Sequence, residues 1–224
     1  MNYLKIGIFD SGVGGFIILK EMMNHIPEAE YFYIADDLHV PYGTKGRDFI
    51  VERSKWCVDQ LIEKGCELVV FACNTATASA IELLRNTYSI PLVGIEPDLN
   101  FLSREKIEGL ESKKIAVLTT ILTGESIKFN LLIDRRDRDR QFKYFIMENL
   151  ASIIEDNFQK DLIKWKPLLE NELISITNST FDYIVLGCTH YSLVKKTLEE
   201  ILQTPCICPA EAVAKRVKGL ISAS

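Results

Sequence analysis

The stretch ELVVFACNTATASAIELL, residues 67–84, joins an apolar run to an amphipathic segment through Cys73. The apolar run predicts a buried strand, and the segment after the cysteine predicts a helix. A second stretch, DYIVLGCTHYSLVKKTL at 182–198, repeats the order of acid, apolar strand, small residue, cysteine and Thr-containing turn, with Cys188 in the place of Cys73. This duplicated strand–Cys–helix unit is typical of parallel sheets covered by helices.

The rest of the chain alternates in the same way. Predicted strands lie at 3–9, 29–35, 67–72, 90–95, 114–119, 142–146, 182–187 and 205–209. Predicted helices lie near 15–25, 46–64, 76–88, 98–108, 123–132, 150–156, 160–179, 192–202 and 210–221. A Gly and a Pro in VGIEPDLN (93–100) indicate a crossing point. We therefore predict an α/β protein of two parallel-sheet domains, 1–97 plus 208–224 and 98–207, with the active site in the cleft between them.

Composition narrows the function classes. The 224 residues carry a net charge of -5, which argues against a nucleic-acid-binding protein. The mixed-charge run DRRDRDRQ (134–141) is predicted to be a solvated loop or helix end. No signal peptide or apolar run long enough to span a membrane is found, so we expect a cytoplasmic protein. In that compartment the six cysteines are expected to be thiols, and their spacing predicts no metal site.

The two duplicated cysteines differ from the other four in their surroundings. Each follows a strand and precedes a helix, where free N–H groups and the helix dipole stabilise anions and lower a thiol pKa. Most buried cysteines only pack, and we assign that role to Cys57, Cys66, Cys206 and Cys208. Cys73 and Cys188 instead have hydrogen-bonding neighbours. Two thiols facing one cleft suit disulfide exchange or a two-base proton transfer, and the absence of a C-x-x-C pair favours proton transfer.

Two further motifs lie near predicted strand ends. FDSGVGG (9–15) follows the first strand, and its glycines allow close backbone approach to a ligand. It is not a dinucleotide fingerprint, because Ile17 stands where a Gly is required, and it lacks the Lys of a P-loop. Asp10, at the end of that strand, is expected to point into the crevice. HVPYGTKG (39–46) predicts a turn around Pro41, Tyr42 and Gly43.

These motifs together resemble the glutamate racemases of the cofactor-independent aspartate/glutamate racemase superfamily. IGIFDSGVGG, VPYGTKG, ACNTATA and LGCTHYSL match family motifs in the family's order, over about residues 5–105 and 180–200. The resemblance implies two pseudo-symmetric α/β domains, no cofactor, and interconversion of L- and D-glutamate, with D-glutamate supplied for peptidoglycan. In MENLASIIE (147–155), which lacks the family's usual Cys-Pro segment, Glu155 matches a family acid.

The resemblance also implies a set of site residues. The catalytic set is Cys73 and Cys188 as acid/base residues, with Asp10, His190 and Glu155 as assisting groups. The implied substrate-binding set is Asp10, Ser11, Pro41, Tyr42, Gly43, Asn74, Thr75, Thr120, Thr123, Thr189 and His190. The expected partner is a small amino acid, glutamate. We expect no binding of nucleic acid, membrane or metal. A homodimer fits this reading, although the sequence does not fix the oligomeric state.

Two alternatives stay open at this point. One is a racemase of aspartate or another acidic amino acid. The other is a racemase-like binding protein with weak or no turnover, because the chain departs from the family pattern at 147–155. Solvent deuterium incorporation separates enzyme from binder, and a panel of amino acids separates the two enzymes.

Overall fold

Two four-stranded parallel sheets form the framework of the protein. The computed structural model describes residues 3–105, 112–136 and 142–223. The first sheet contains β1 (Lys5–Asp10), β2 (Glu30–Ala35), β3 (Leu68–Phe71) and β4 (Leu92–Gly94). The second contains β5 (Ile115–Thr119), β6 (Phe142–Ile146), β7 (Tyr183–Gly187) and β8 (Cys206–Ile207).

Helices connect the strands and cover both faces of the sheets. Those of the first half are α1 (Phe16–His25), α2 (Arg47–Glu63), α3 (Asn74–Arg85) and, from the end of the chain, α12 (Ala210–Ser222). The second half has α4 (Phe101–Arg104), α5 (Ile121–Gly124), α6 (Ile127–Arg136), α7 (Leu150–Asn157), α8 (Leu162–Glu172), α9 (Ile174–Thr177), α10 (Thr189–Leu193) and α11 (Lys195–Leu202). Two 3₁₀ turns, Asp37–His39 and Tyr42–Thr44, precede α2. Within the described ranges, no helix is long and apolar enough to cross a membrane.

The two sheets have the same strand order. It is β2-β1-β3-β4 in the first and β6-β5-β7-β8 in the second, with every pairing parallel. The order reverses between β1 and β3, and again between β5 and β7. In open α/β sheets a ligand crevice forms at the carboxyl ends of the strands beside such a reversal. Asp10 and Cys73 border the first reversal, and Thr119 and Cys188 border the second.

Each sheet has an apolar core on both faces. In the first sheet, α2 and α3 pack on one face around Phe9 and Phe71, while α1 and α12 pack on the other. In the second, α7, α8, α10 and α11 cover one face, and α4 and α6 cover the other. Inner strands such as β3 and β5 are buried along their whole length, so they have apolar runs instead of an alternating pattern.

The predicted α/β class and its two parallel sheets are confirmed. The predicted domain limits stay a prediction, although α12 does pack on α1 of the first half. The predicted helix 98–108 is described only as α4, since 106–111 lie outside the described residues. Of the charged run 134–141, the first three residues end α6 and the remaining residues lie outside the described ranges.

Three predicted helices are divided in the structure. The one predicted at 192–202 is interrupted at Val194, between α10 and α11. The helix predicted at 160–179 is split at Leu173, whose ψ of 0° turns the chain so that Leu173 and Ile176 enter one core. The helix predicted at 123–132 is instead α5 and α6, because the Ser126 hydroxyl accepts a hydrogen bond from the Phe129 N–H at 3.0 Å and so caps α6.

Candidate active site

The crevice between the sheets holds Cys73 at the N-terminus of α3. Its sulfur accepts a hydrogen bond from the Ala76 N–H at 3.4 Å and donates to Ser11 Oγ at 3.6 Å. Burial and the nearby Asp10 charge nevertheless raise the pKa of Cys73 to about 12, against the effect of these hydrogen bonds. The Ala76 N–H at the helix N-terminus does lower the pKa of Cys73, as expected, but burial of a thiol that is only 5% exposed outweighs this effect. The expected net lowering of the pKa is therefore wrong for Cys73.

Cys188 has a different environment, a chain of titratable groups. Its sulfur lies 3.7 Å from His190 Nδ1, and His190 Nε2 lies 2.5 Å from Glu155 Oε2. Burial by itself lowers the pKa of His190, but the hydrogen bonds with Cys188 and Glu155 outweigh it and raise the pKa to about 10. Burial raises the Glu155 pKa, but the contacts with His190 and the Val13 N–H leave it below its usual value. At neutral pH the pair is therefore an imidazolium and a carboxylate.

Asp10 connects the two halves of the site. Its buried carboxylate accepts hydrogen bonds from the Ser11 N–H at 2.6 Å and from Thr189 Oγ1 of the second half at 3.0 Å. Burial raises the pKa of Asp10 despite the opposing charge of His190. The charge of Cys188 also contributes to the raised pKa of Cys73. The structure therefore brings both thiols and the Asp10 carboxylate into one electrostatic environment.

A second group of polar side chains lies beside the thiols. Thr120 Oγ1 is 3.0 Å from Thr75 Oγ1 across the two halves and 3.0 Å from Thr123 Oγ1. Both polar atoms of the Asn74 side chain are buried without a hydrogen-bond partner among the residues that the structure describes. Buried amides are normally satisfied, so this pair of atoms indicates a place for a polar ligand.

The turn at 41–44 closes the same region. Pro41 precedes the 3₁₀ turn, Tyr42 is 1% exposed, and Gly43 packs on Thr120 of the second half. A methyl group added at Gly43 would lie 3.1 Å from Thr120 Cβ. The structure thus brings together all of the predicted site residues, while their catalytic and binding roles stay predictions.

Three residues near the site were not predicted. Tyr33 donates to the Gly12 carbonyl at 3.0 Å and holds the glycine loop. Asp36 lies at the end of β2 and binds Arg53 and Tyr42. The signal that identified Asp10, an acid at the carboxyl end of a strand, is also present at Asp36. Arg53 lies within a long amphipathic helix and has no such signal.

A large cavity lies away from the thiols. It measures about 700 Å³ and lies between α3 and α6, with Leu83, Lys128 and Leu131 in its lining. A much smaller cavity of about 10 Å³ reaches Asn74 and Thr123. We assign the site to the crevice and not to the larger cavity, because the perturbed pKa values and the unpaired amide lie there. In the described ranges, no group of three or more His, Cys, Asp or Glu side chains is arranged to hold a metal ion.

Fold and site define a class: an α/β protein with two buried cysteines in a crevice between similar halves. Residues 18–217 match the Asp/Glu/Hydantoin racemase family. The chain is 37% identical to a glutamate racemase of Campylobacter curvus (89% of this chain, 75% of that one) and 36% identical to one of Pseudomonas aeruginosa (97% and 82%). The chain thus belongs to the Asp/Glu/Hydantoin racemase family, among the glutamate racemases, which are isomerases.

Solved structures agree with this assignment. The Escherichia coli glutamate racemase, in complex with L-glutamate and the activator UDP-MurNAc-ala, superposes with a TM-score of 0.87 at 28% identity, covering 99% of this chain and 83% of that one. The Francisella tularensis glutamate racemase, in complex with D-glutamate, gives a TM-score of 0.80 at 25% identity, covering 100% and 82%. Those two relatives therefore bind opposite enantiomers of the same amino acid.

Proposed function

We propose that this protein interconverts L- and D-glutamate by two-base proton transfer. The observation that carries the proposal is the convergence of Cys73 and Cys188, from equivalent strand ends of two similar sheets, on one buried crevice. A stereocentre held between them presents its Cα–H to one thiol and its opposite face to the other. The complexes of relatives with L- and with D-glutamate support this substrate.

The mechanism follows from the two environments. A thiolate on one side removes the Cα proton, and the thiol on the other side delivers a proton to the opposite face of the carbanion. The raised pKa of Cys73 leaves it protonated before substrate enters, so it is ready to donate. A protonated His190 presents an N–H to the Cys188 sulfur at 3.7 Å, where it stabilises an anionic sulfur.

Substrate binding adds charge to the crevice. The α-ammonium group of glutamate would lie near Asp10 and offset the negative charge that raises the pKa of Cys73. That change favours a thiolate at Cys73 and allows the reaction to run in the reverse direction. We assign the α-carboxylate and the ammonium group to Ser11, Asn74, Thr75 and Thr189. Hydrogen-bond donors of this kind stabilise the charge that develops in the transition state.

The distal carboxylate is assigned to the turn Tyr42–Gly43. Backbone N–H groups there can bind an anion without a cationic side chain. Aspartate, which is one methylene shorter, cannot reach both anion sites at once. We expect a 10- to 200-fold preference for glutamate, on the order of 1–3 kcal/mol.

Chiral analysis tests the function directly. Pure protein is incubated with L-glutamate in D₂O without added cofactor, and both enantiomers and their deuterium content are measured. D-glutamate carrying deuterium at Cα is the expected product. Binding without inversion or exchange would instead assign the chain to the racemase-like binding proteins, and higher kcat/KM for aspartate would change the substrate.

The proposal extends to the biological role. D-glutamate is a component of peptidoglycan, so we assign the protein to cell-wall synthesis in the cytoplasm. Persistence of activity after dialysis against a chelator, without restoration by added pyridoxal phosphate, is the expected result for a cofactor-independent enzyme. A homodimer is the assembly to test first, by light scattering at the assay concentration.

A further inference from the structure

The buried carboxylate of Asp36 forms a network beside the site that the mechanism does not use. It accepts hydrogen bonds from Tyr42 Oη at 2.5 Å and from Arg53 Nε and Nη2 at 3.0 and 2.7 Å, and it lies 2.9 Å from His39 Nδ1. Although burial opposes ionisation, these donors lower the pKa of Asp36 to about 2. Asp36 is therefore an anion at neutral pH, with its position fixed from several directions.

Arg53 anchors this network to the body of the first half. It lies in the middle of α2, which packs on the first sheet, and its guanidinium stacks on the Trp56 ring with 4.5 Å to the ring centroid. The planar guanidinium donates to both oxygens of Asp36, which fixes the rotation of the carboxylate. The backbone of Asp36 is fixed as well, because its N–H donates to the Asp10 carbonyl at 2.9 Å.

Tyr42 connects the fixed Asp36 carboxylate to the turn. Its hydroxyl donates to Asp36 and its side chain is fully buried in the core, so the ring cannot move independently of the network. The next residue, Gly43, packs on Thr120 of the second half. The turn is therefore held on one side by Asp36 and on the other by Thr120.

We propose that Arg53 is a positioning residue that, through Asp36 and Tyr42, sets the location of the Tyr42–Gly43 backbone and so selects the length of the substrate. This inference rests on the proposed function, in which the turn receives the distal carboxylate. Arg53 itself does not contact substrate. Its effect is on the distance between the turn and the groups that hold the α-carbon.

The proposal predicts a specific kinetic pattern. Contacts to the distal carboxylate are the same in the ground state and the transition state, so losing them raises KM and leaves kcat nearly unchanged. For Arg53→Met we expect KM for L-glutamate to rise about tenfold. The preference for glutamate over aspartate should fall by a similar factor. The reason is that a displaced turn no longer lies at the distance from the α-carbon that matches the length of glutamate.

Three further variants make the test specific. Arg53→Lys keeps the charge but loses the bidentate hydrogen bonding to Asp36. Its KM should lie between those of the wild type and Arg53→Met. Tyr42→Phe removes the hydroxyl that joins Asp36 to the turn. If Arg53 acts through Tyr42, then Arg53→Met combined with Tyr42→Phe should be within about twofold of Tyr42→Phe alone.

Arg85→Met is the matched control. Arg85 also donates through Nε and Nη2, at 3.1 and 3.0 Å, but to the Leu92 carbonyl, away from the turn. Its loss should lower the urea midpoint of unfolding and leave KM and the glutamate preference unchanged.

The outcomes are separable. Wild-type protein that does not racemise glutamate refutes the proposed function, whatever the variants do. If the wild type is active and Arg53→Met lowers only the unfolding midpoint, as Arg85→Met does, Arg53 is structural and the inference is wrong. A raised KM with a lost glutamate preference, coupled to Tyr42→Phe, supports it.

Discussion

At the residue scale, the two thiols are equivalent in sequence position but not in environment. Cys73 contacts Ser11 and lies near the Asp10 carboxylate, whereas Cys188 lies beside the His190–Glu155 pair. The first environment favours a protonated sulfur and the second presents a cation to sulfur. In the proposed two-base reaction, this asymmetry makes Cys73 the proton donor of the unliganded site and places the His190 cation beside the second thiol.

Replacing either thiol should strongly reduce racemisation but should leave part of the proton exchange. Cys73→Ser and Cys188→Ser should each lower kcat/KM by about a hundredfold or more, because each loses one acid–base group. The remaining thiol can still remove a proton from its own face and return deuterium to that face. Each variant should therefore exchange the Cα–H of one enantiomer in D₂O, and the two variants should exchange opposite enantiomers.

Cys66→Ser is the control for these variants, because Cys66 is also buried but lies in the connection before β3. It should retain near-normal turnover. If both thiol variants exchange the same enantiomer, the two thiols do not act on opposite faces.

The raised pKa of His190 has a consequence for stability. Its folded value of about 10 lies above the ordinary 6.5, so its contribution is fully present below about pH 6.5 and is lost as pH rises through about 10. Between about pH 7 and 8.5, this group alone should lower the free energy of unfolding by about 1.4 kcal/mol per pH unit. Urea unfolding of wild type and His190→Gln at several pH values measures the difference.

The matched control is His25→Gln, since His25 lies partly exposed on α1 and pairs with Glu21 at 4.0 Å. It should keep the wild-type slope, whereas His190→Gln should flatten it. An unchanged slope in His190→Gln would mean that His190 is not protonated in the folded protein.

At the element scale, the loop between β1 and α1 connects the two halves. Gly14 packs so closely on the start of α10 that a methyl group there would lie 2.7 Å from the His190 backbone nitrogen and from Thr189 Oγ1. Val13 donates to Glu155 from the same loop. Gly14 of FDSGVGG therefore allows close approach to another part of the chain, α10.

Gly14→Ala should displace the loop from α10 and disturb the groups around Cys188. Since backbone atoms of α10 cannot move cheaply, we expect a loss of about 1–3 kcal/mol in the free energy of unfolding and at least a tenfold loss in kcat/KM. Gly46→Ala is the control, because a methyl group at Gly46 meets nothing within 4 Å. Urea unfolding and racemisation assays on both variants check the prediction, which fails if the two behave alike.

The sequence predicts strands better than helix limits. Apolar runs such as LVVF and YIVLG predict β3 and β7 because strands buried on both faces have a strong local signal. The division of α8 from α9 depends on how Leu173 and Ile176 reach a common core, which is a tertiary effect. Cys73 and Cys188 were found from a duplicated motif, whereas Arg53 reaches Asp36 only through the packing of α2 and gives no local signal.

At the scale of the whole molecule, the position of the two halves sets the distance between the thiols. Asp10–Thr189 and Thr75–Thr120 cross the boundary inside the site. Outside it, Lys128 of α6 bonds Glu82 of α3 at 2.7 Å and Glu96 after β4 at 2.9 Å. Lys128 therefore joins the two halves by ion pairs outside the crevice. Burial opposes the charge of Lys128, but contact with both carboxylates raises its pKa.

Removing the ion pairs of Lys128 should affect catalysis more than stability. Glu82 is well exposed, so Lys128→Met should cost about 1 kcal/mol or less in the free energy of unfolding. A change of even a fraction of an ångström between the halves alters the alignment of both thiols with Cα, so we expect kcat/KM to fall about tenfold.

The ion pairs are partly screened by salt. Wild-type kcat/KM should therefore fall between about 0.05 and 0.5 M NaCl, whereas kcat/KM of Lys128→Met should be insensitive to salt. Lys55→Met, which removes a surface pair with Asp59 inside α2, controls for general loss of charge and should keep both wild-type activity and its salt dependence. If Lys128→Met and Lys55→Met give the same kinetics, the outer ion pairs do not set the spacing of the thiols, and the contacts inside the crevice alone hold the halves together.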